Sequence, residues 1–328
     1  MKKIFLYFRT SEWYDSKIPL AMCVGLYALL YEPQILEKRD LILWYIAYFL
    51  FCIIYFAFNY LFNDYSDLEE DRRAGKEKVI HSVDRRWSLL ILCILPVLGV
   101  LELFAATGRH WTTLLVSLVC YVLGMSYSAK GIRMKERGIW GLVFSAFAQR
   151  NTPVLITFSF LHMRMDHFIC WTAVCFVNGL RYILIHQYID RENDKKVGIH
   201  TFVLDRNISI KKGIWCSLAV EMLSVIWLFA GEWKVMAVTG VIYAVVCILN
   251  WNFTEKVLKA SYFYSYACVP LEDLYNVFMP LLLTCGYAVK SGYYLLIPLT
   301  VLYLIAPLCR KIYMPMMSVW KMLHGEMS

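Results

Sequence analysis

The chain has 328 residues, a length that suits two or three soluble domains, but 60% of them are hydrophobic, 16% aromatic and only 18% charged, with mean hydropathy +0.53. A soluble chain covers its surface with polar groups, whereas here they gather in short stretches between long apolar runs, which excludes a cytosolic protein and places this one in a membrane. The excess of 33 Lys and Arg over 25 Asp and Glu, formally +8, then reads as topology and as affinity for phosphate-bearing groups; nucleic acid is not an expected partner.

A hydrocarbon core takes about 20 helical residues to cross, and lipid tolerates no unsatisfied backbone, so each long apolar run is read as a helix. In chain order the runs cover 18–36, 41–62, 87–107, 111–128, 139–162, 168–189, 213–230, 234–250, 272–289 and 293–309. The turns Gly231 to Lys234 and Lys290 to Gly292 are short enough for one of the last pairs to be a re-entrant hairpin. Lys2, Lys3, Arg9, Glu12, Asp15 and Lys17 precede the first run and no small-residue cleavage site follows, so that run is expected to stay as a span. The 11 cysteines stand singly with no CxxC pair and are expected as apolar filler.

With the N-terminus inside, Lys and Arg concentrate in the N-terminal segment, 64–86, 130–137 and 191–212, while the opposite side holds Lys38, Arg39, Arg109, Arg164, Lys234 and Lys290. The expectation is an all-α, multi-pass bundle of nine or ten helices forming one domain over 1–328, in a bacterial plasma membrane, with N-terminus and polar loops cytoplasmic. Spans two and six each end in an acidic cluster followed by a basic loop, a hint of two related halves. No obligate protein partner is inferred.

The first cluster runs Asn63, Asp64, Tyr65, Ser66, Asp67, Leu68, Glu69, Glu70, Asp71. On a helix Asp64, Asp67 and Asp71 share one face, an arrangement costly as scaffolding and sensible as a Mg²⁺ site; Asn59 lies one turn below Asn63 and extends the polar face. The second runs Asp190, Arg191, Glu192, Asn193, Asp194, Lys195, Lys196, Val197, Gly198, with Asp190 and Asp194 one turn apart. Two sets of hard oxygen ligands on one side of the membrane suit Mg²⁺ ions that bridge to a diphosphate. Between them Tyr127, Ser128, Lys130, Arg133 and Lys135 form a basic loop, read either as a positive-inside anchor or as Arg133 and Lys135 holding a leaving diphosphate.

Four polar positions interrupt the apolar spans: Gln149, Arg150 and Asn151 in the fifth and Arg181 in the sixth, with His186 and Gln187 after it. Charge in lipid is costly, so these read either as helix-to-helix hydrogen bonding or as a cavity lining in which Arg150 or Arg181 orients an anionic acceptor and His186 or Glu192 takes the released proton. Glu272 and Asp273 read as a helix cap, and Lys256, Lys259, Arg310, Lys311 and Lys321 as interface anchors.

These motifs resemble the UbiA superfamily of intramembrane prenyltransferases. Asn63-Asp64-x-x-Asp67-x-x-x-Asp71 is similar to its NDxxDxxxD motif, and Asp190-x-x-x-Asp194-x-x-x-Gly198 to its DxxxDxxxG motif. Tyr127-Ser128 followed by Arg133-x-Lys135 is similar to its YS-x-x-P-x-R-x-K loop, with Lys130 or Gly131 where the family has Pro. The resemblance spans Ile18 to Gly198 and implies about nine helices around a central cavity capped by cytoplasmic loops; ten spans depart from that. It implies a Mg²⁺-bound prenyl diphosphate that ionises to an allylic cation and passes to a small-molecule acceptor, often aromatic. Asp64, Asp67, Asp71, Asp190 and Asp194 are then metal ligands with Asn63 assisting, and Arg133 and Lys135 diphosphate contacts. Apart from the resemblance, their own positions make Asn59, Asn63, Tyr127, Lys130, Arg150 and Arg181 the expected substrate-binding residues.

The same metal chemistry serves a terpene cyclase, or phosphoribosyl transfer to a polyprenyl phosphate. A transporter is disfavoured, because its charges would gather at broken helices near the bilayer midplane, not at the ends of two spans.

Overall fold

The structure is a computed structural model and describes residues 2–32, 37–73, 75–197, 202–203, 210–231, 233–249 and 274–308. Among the described residues there is no strand. The short α1 (Lys2–Tyr7) leads into α2 (Thr10–Tyr31), α3 (Lys38–Ser66), α4 (Leu68–Arg73), α5 (Arg85–Ala106) and α6 (Trp111–Ser128). Helices α7 (Ile139–Ala146) and α8 (Thr152–Phe160) flank a π-turn, and α9 (Met165–Val197), α10 (Ile210–Leu228), α11 (Trp233–Leu249), α12 (Met279–Ser291) and α13 (Leu296–Leu308) follow. Each of the ten apolar runs therefore carries helix, and four helical segments, 39–66, 85–106, 111–128 and 165–189, are long and apolar enough to cross a membrane.

Side-chain chemistry explains where the helices bend. Pro153 lacks an N–H, and the residues just before it, Phe147–Asn151, form a π-turn that opens the backbone ladder. Tyrosines of α3 bond carbonyls on either side of this turn: Tyr55 donates to Ala148 O at 3.0 Å and Tyr48 to Pro153 O at 3.0 Å. A second π-turn, Leu274–Phe278, again comes just ahead of a proline, Pro280. Helix α9 runs two turns past its apolar stretch because Asp190 to Val197 contain no glycine or proline to stop it.

The core is built on α2 and α3. Trp44, Tyr48, Phe51, Tyr55 and Phe58 recur every three or four residues along α3 and are all buried. Trp44 stacks on Tyr48 with centroids 4.9 Å apart, and Tyr55 and Phe58 meet Tyr121 of α6 edge-on at 5.5 and 5.2 Å. Gly124 lets α6 approach further: a Cβ there would lie 1.9 Å from Asn59 Oδ1. One turn on, Ser128 donates to Asn63 Oδ1 at 2.6 Å. The two helices thus run parallel in register and end on the same side.

Candidate active site

Helix α3 does not run straight through its acidic motif. It stops at Ser66, and Asp67 takes φ −96°, ψ 5°, a sparsely populated region in which active-site residues often sit. The backbone bonds continue across the bend, Asp67 N to Asn63 O at 3.0 Å and Asp71 N to Asp67 O at 2.8 Å. The three aspartates expected on one face divide into two groups as a result. Asp64 and Asp71, both buried, share the ammonium of Lys78, at 2.7 Å from Asp64 Oδ1 and 2.6 Å from Asp71 Oδ2. Arg9, in a left-handed conformation at the start of α2, adds a second cation to Asp64 at 2.9 Å.

Asp67 points instead to the basic loop. Lys135 Nζ lies 2.5 Å from both its carboxylate oxygens and Arg133 Nη2 is 3.5 Å away. Arg133 also forks onto Glu70 with two bonds of 2.7 Å. The loop is tightly wound, with positive φ at Gly131 (92°), Arg133 (37°) and Gly138 (55°). Strain at the non-glycine Arg133 is of the kind that concentrates at functional sites. Burial pushes the Asp67 carboxyl above its ordinary range despite Lys135 and Arg133, whereas the Arg133 fork holds Glu70 below its own. Burial alone would lower Lys78, but its bonds to Asp64 and Asp71 prevail and hold it above the usual value.

The other expected residues divide more unevenly. Asn59 packs against Gly124 and donates to Tyr55 O at 2.8 Å, and its Oδ1 is buried with no hydrogen-bond partner. Tyr127 is half-buried, and Lys130 is exposed, 3.9 Å from Glu69. Arg181 is fully buried against Glu221 at 2.5 Å and Ser217 at 3.4 Å, so its charge is already neutralised. Arg150 is buried in the π-turn, and none of the described ion pairs includes it. His186 and Glu192 are exposed. Positions 190 and 194 lie one turn apart on α9, but the side chains of Asp190 and Asp194 fall outside what the structure describes. So do Gly198, Lys256, Lys259, Glu272, Asp273, Arg310, Lys311 and Lys321.

Arg9 and Lys78 join the site from outside the motifs, and Glu221 of α10 pairs with Arg181. A lone glutamate inside the apolar run 213–230 signals Glu221 in the sequence, whereas no spacing marks Arg9 or Lys78.

As a donor set, the first motif fits a divalent ion. Two buried carboxylates already converge on one cationic nitrogen, and hard oxygens at that spacing suit Mg²⁺. Among the described side chains, no three His, Cys, Asp or Glu residues come together as a metal cage.

The chain matches the UbiA prenyltransferase family over residues 20–266. No curated protein sequence matches it. Among solved structures, a UbiA homologue from Archaeoglobus fulgidus bound to DMAPP and Mg²⁺ is 16% identical, with 88% of this chain and 99% of that one covered and a TM-score of 0.59. A structure of digeranylgeranylglyceryl phosphate synthase is 15% identical over 88% and 99% of the two chains, at 0.54. A UbiA homologue from Aeropyrum pernix K1 is 16% identical over 85% and 98%, at 0.53. The fold is that of a helical intramembrane enzyme of the prenyltransferase type. The chain belongs to the UbiA prenyltransferase family.

Proposed function

We propose that the protein transfers an isoprenyl group from a prenyl diphosphate to a small aromatic acceptor, with Mg²⁺ as cofactor. The observation that carries this reading is the junction of two motifs: Asn63 is bonded to Ser128 and Asp67 to Lys135, so carboxylates and cations suited to a metal-bound diphosphate meet at one helix end. Asp64, Asp67 and Asp71, with Asp190 and Asp194 of the second motif, would hold Mg²⁺, which when bound offsets the negative charge of the departing diphosphate. Arg133 and Lys135 bind diphosphate oxygens in exchange for Glu70 and Asp67, and their loop closes the site against water. Breaking an allylic carbon–oxygen bond separates charge, and the aromatic faces of the helices beneath suit the cation that results.

Purified protein given prenyl diphosphates of several lengths should release pyrophosphate only with Mg²⁺ and prenyl diphosphate together, and mass spectrometry should find prenylated acceptor. Asp67→Ala combined with Asp190→Ala should lower release at least about a hundredfold. Undiminished release would remove the site. A cyclic hydrocarbon formed with no acceptor present would replace transfer by cyclisation.

A further inference from the structure

Helix α1 stands ahead of the first apolar run and has 6 residues, about 9 Å of helix, far too short to cross a bilayer. Its exposed surface is nonetheless apolar. Ile4, Phe5 and Leu6 are 61%, 58% and 51% exposed, and three consecutive residues at about 100° each cover over half of the helix circumference. Tyr7 turns inward instead: it is buried, and its hydroxyl donates to Ser88 Oγ of α5 at 2.8 Å. The helix also packs on the 3₁₀ turn Val79–Ser82.

The Tyr7–Ser88 bond fixes the level at which α1 lies. Ser88 marks the place where α5 changes solvent: Arg85 and Arg86 before it are exposed cations, Trp87 is 63% exposed, and Leu89 and Leu90 after it face outward. Cation, tryptophan and leucine in that succession define the headgroup level of a bilayer. Held there, α1 adjoins the lipid-facing surface of α5, with Lys3 exposed one turn from Tyr7. Lys3, Arg85 and Arg86 enter no ion pair among the described residues, whereas Arg9 and Lys78, nearer the acidic motif, are taken up by Asp64. Asp84, the acid beside them in sequence, serves as the cap of α5 and accepts from Arg86 N at 2.7 Å.

We propose that α1 is an interfacial anchor that docks on anionic phospholipid, with Ile4, Phe5 and Leu6 among the upper acyl chains and Lys3 and Arg86 on the headgroup phosphates. Lipid is the occupant that the chemistry selects. The apolar face carries no directional polar group for a protein partner to read, it continues a surface already facing lipid, and its flanking cations lack counter-charges of their own. Arg85 is partly engaged, donating to Tyr65 Oη at 3.1 Å, which leaves Lys3 and Arg86 as the principal contacts. The chain turns from α1 into α2 at Arg9, whose left-handed backbone makes the corner and whose guanidinium bonds Asp64 at 2.9 Å. Docking α1 on the leaflet therefore also steadies one cation of the acidic motif. The anchor is independent of the reaction that the site performs.

The test places an environment-sensitive nitrobenzoxadiazole label on Leu6→Cys in full-length protein, in phosphatidylcholine nanodiscs. The background has exposed Cys93, Cys216 and Cys285 replaced by serine, and the same background without the new cysteine is labelled as the blank. Traces of phosphatidylglycerol or phosphatidylcholine, each doxyl-labelled near the top of the acyl chain, serve as quenchers that differ only in headgroup. Both should quench the label and aqueous iodide should not. The phosphatidylglycerol quencher should act at a mole fraction at least about threefold lower, and this preference should fall to about one at high salt and in Lys3→Gln combined with Arg86→Gln. Free quenching by iodide would put α1 in water, and shielding from iodide without lipid quenching would mean that protein covers it; either result overturns the anchor. Equal quenching by the two lipids in the wild type, or a preference unchanged in the double variant, would overturn the recognition of anionic headgroups. The salt arm needs no substitution among the cations, so a variant that fails to fold does not rescue the idea.

Discussion

Asp64 and Asp71 stand two helical turns apart in sequence, yet both touch one ammonium, because the chain after α4 turns back and lays Lys78 between them. Two buried carboxylates this close repel strongly unless a cation separates them. In the metal-free protein Lys78 fills that role, and its bonds keep it charged at neutral pH. Lys78→Gln should therefore cost about 1–3 kcal/mol of metal-free stability. Mg²⁺ should restore more of it than it adds to the wild type, because the metal then meets no competing ammonium. Thermal melts with EDTA and across a Mg²⁺ titration read both effects; equal melting temperatures and equal Mg²⁺ shifts would show that Lys78 is an ordinary surface lysine. The aspartates were legible as a pattern because their spacing is local, while Lys78 and Arg9 reach them only through the path of connecting segments, which leaves no periodic trace.

Helices were the most legible elements, since hydropathy alone located ten of them. The departures come from packing and from single residues. The acidic motif bends at Asp67 where a straight helix was expected, and each π-turn comes just ahead of a proline whose effect on register the sequence does not state. Contacts between elements are set by glycine. Gly141 of α7 lies on the basic loop, where a Cβ would meet Met134 O at 2.5 Å and Lys135 O at 2.9 Å, both backbone atoms that cannot rotate away. Helix propensity alone favours alanine by about 1 kcal/mol, so the sign of the effect is diagnostic. Gly141→Ala is expected to destabilise by about 1–3 kcal/mol, as overpacking does, and to reduce pyrophosphate release by moving Lys135 off Asp67. Gly240→Ala in α11, where nothing lies within 4 Å, should be neutral or stabilising. Equal behaviour of the two variants in melting and release assays would refute a loop held in place by α7.

At the scale of the whole molecule, the outer surface and the polar end answer to different solvents. Leu89, Leu90, Val97, Leu98 and Leu101 of α5 are exposed, as expected where lipid is the solvent, and Trp87, Trp111 and Trp140 are exposed at helix starts where the bilayer meets water. The parallel register of α3 and α6, with Asn63 on Ser128 and Asp67 on Lys135, puts the acidic motif and the basic loop at one end, and the start of α6 at the other. From the Lys and Arg that cluster beside it, the positive-inside rule predicts that the acidic end faces the cytoplasm. Single cysteines at Glu69 and Thr112, both exposed, test this in a background with exposed Cys93, Cys216 and Cys285 replaced by serine. In inside-out vesicles a membrane-impermeant maleimide should label Glu69→Cys and spare Thr112→Cys, with the pattern reversed in right-side-out vesicles. Labelling of both from one side would mean that α6 does not cross the bilayer; the opposite pattern would put the diphosphate site outside the cell, away from a cytoplasmic supply of prenyl diphosphate.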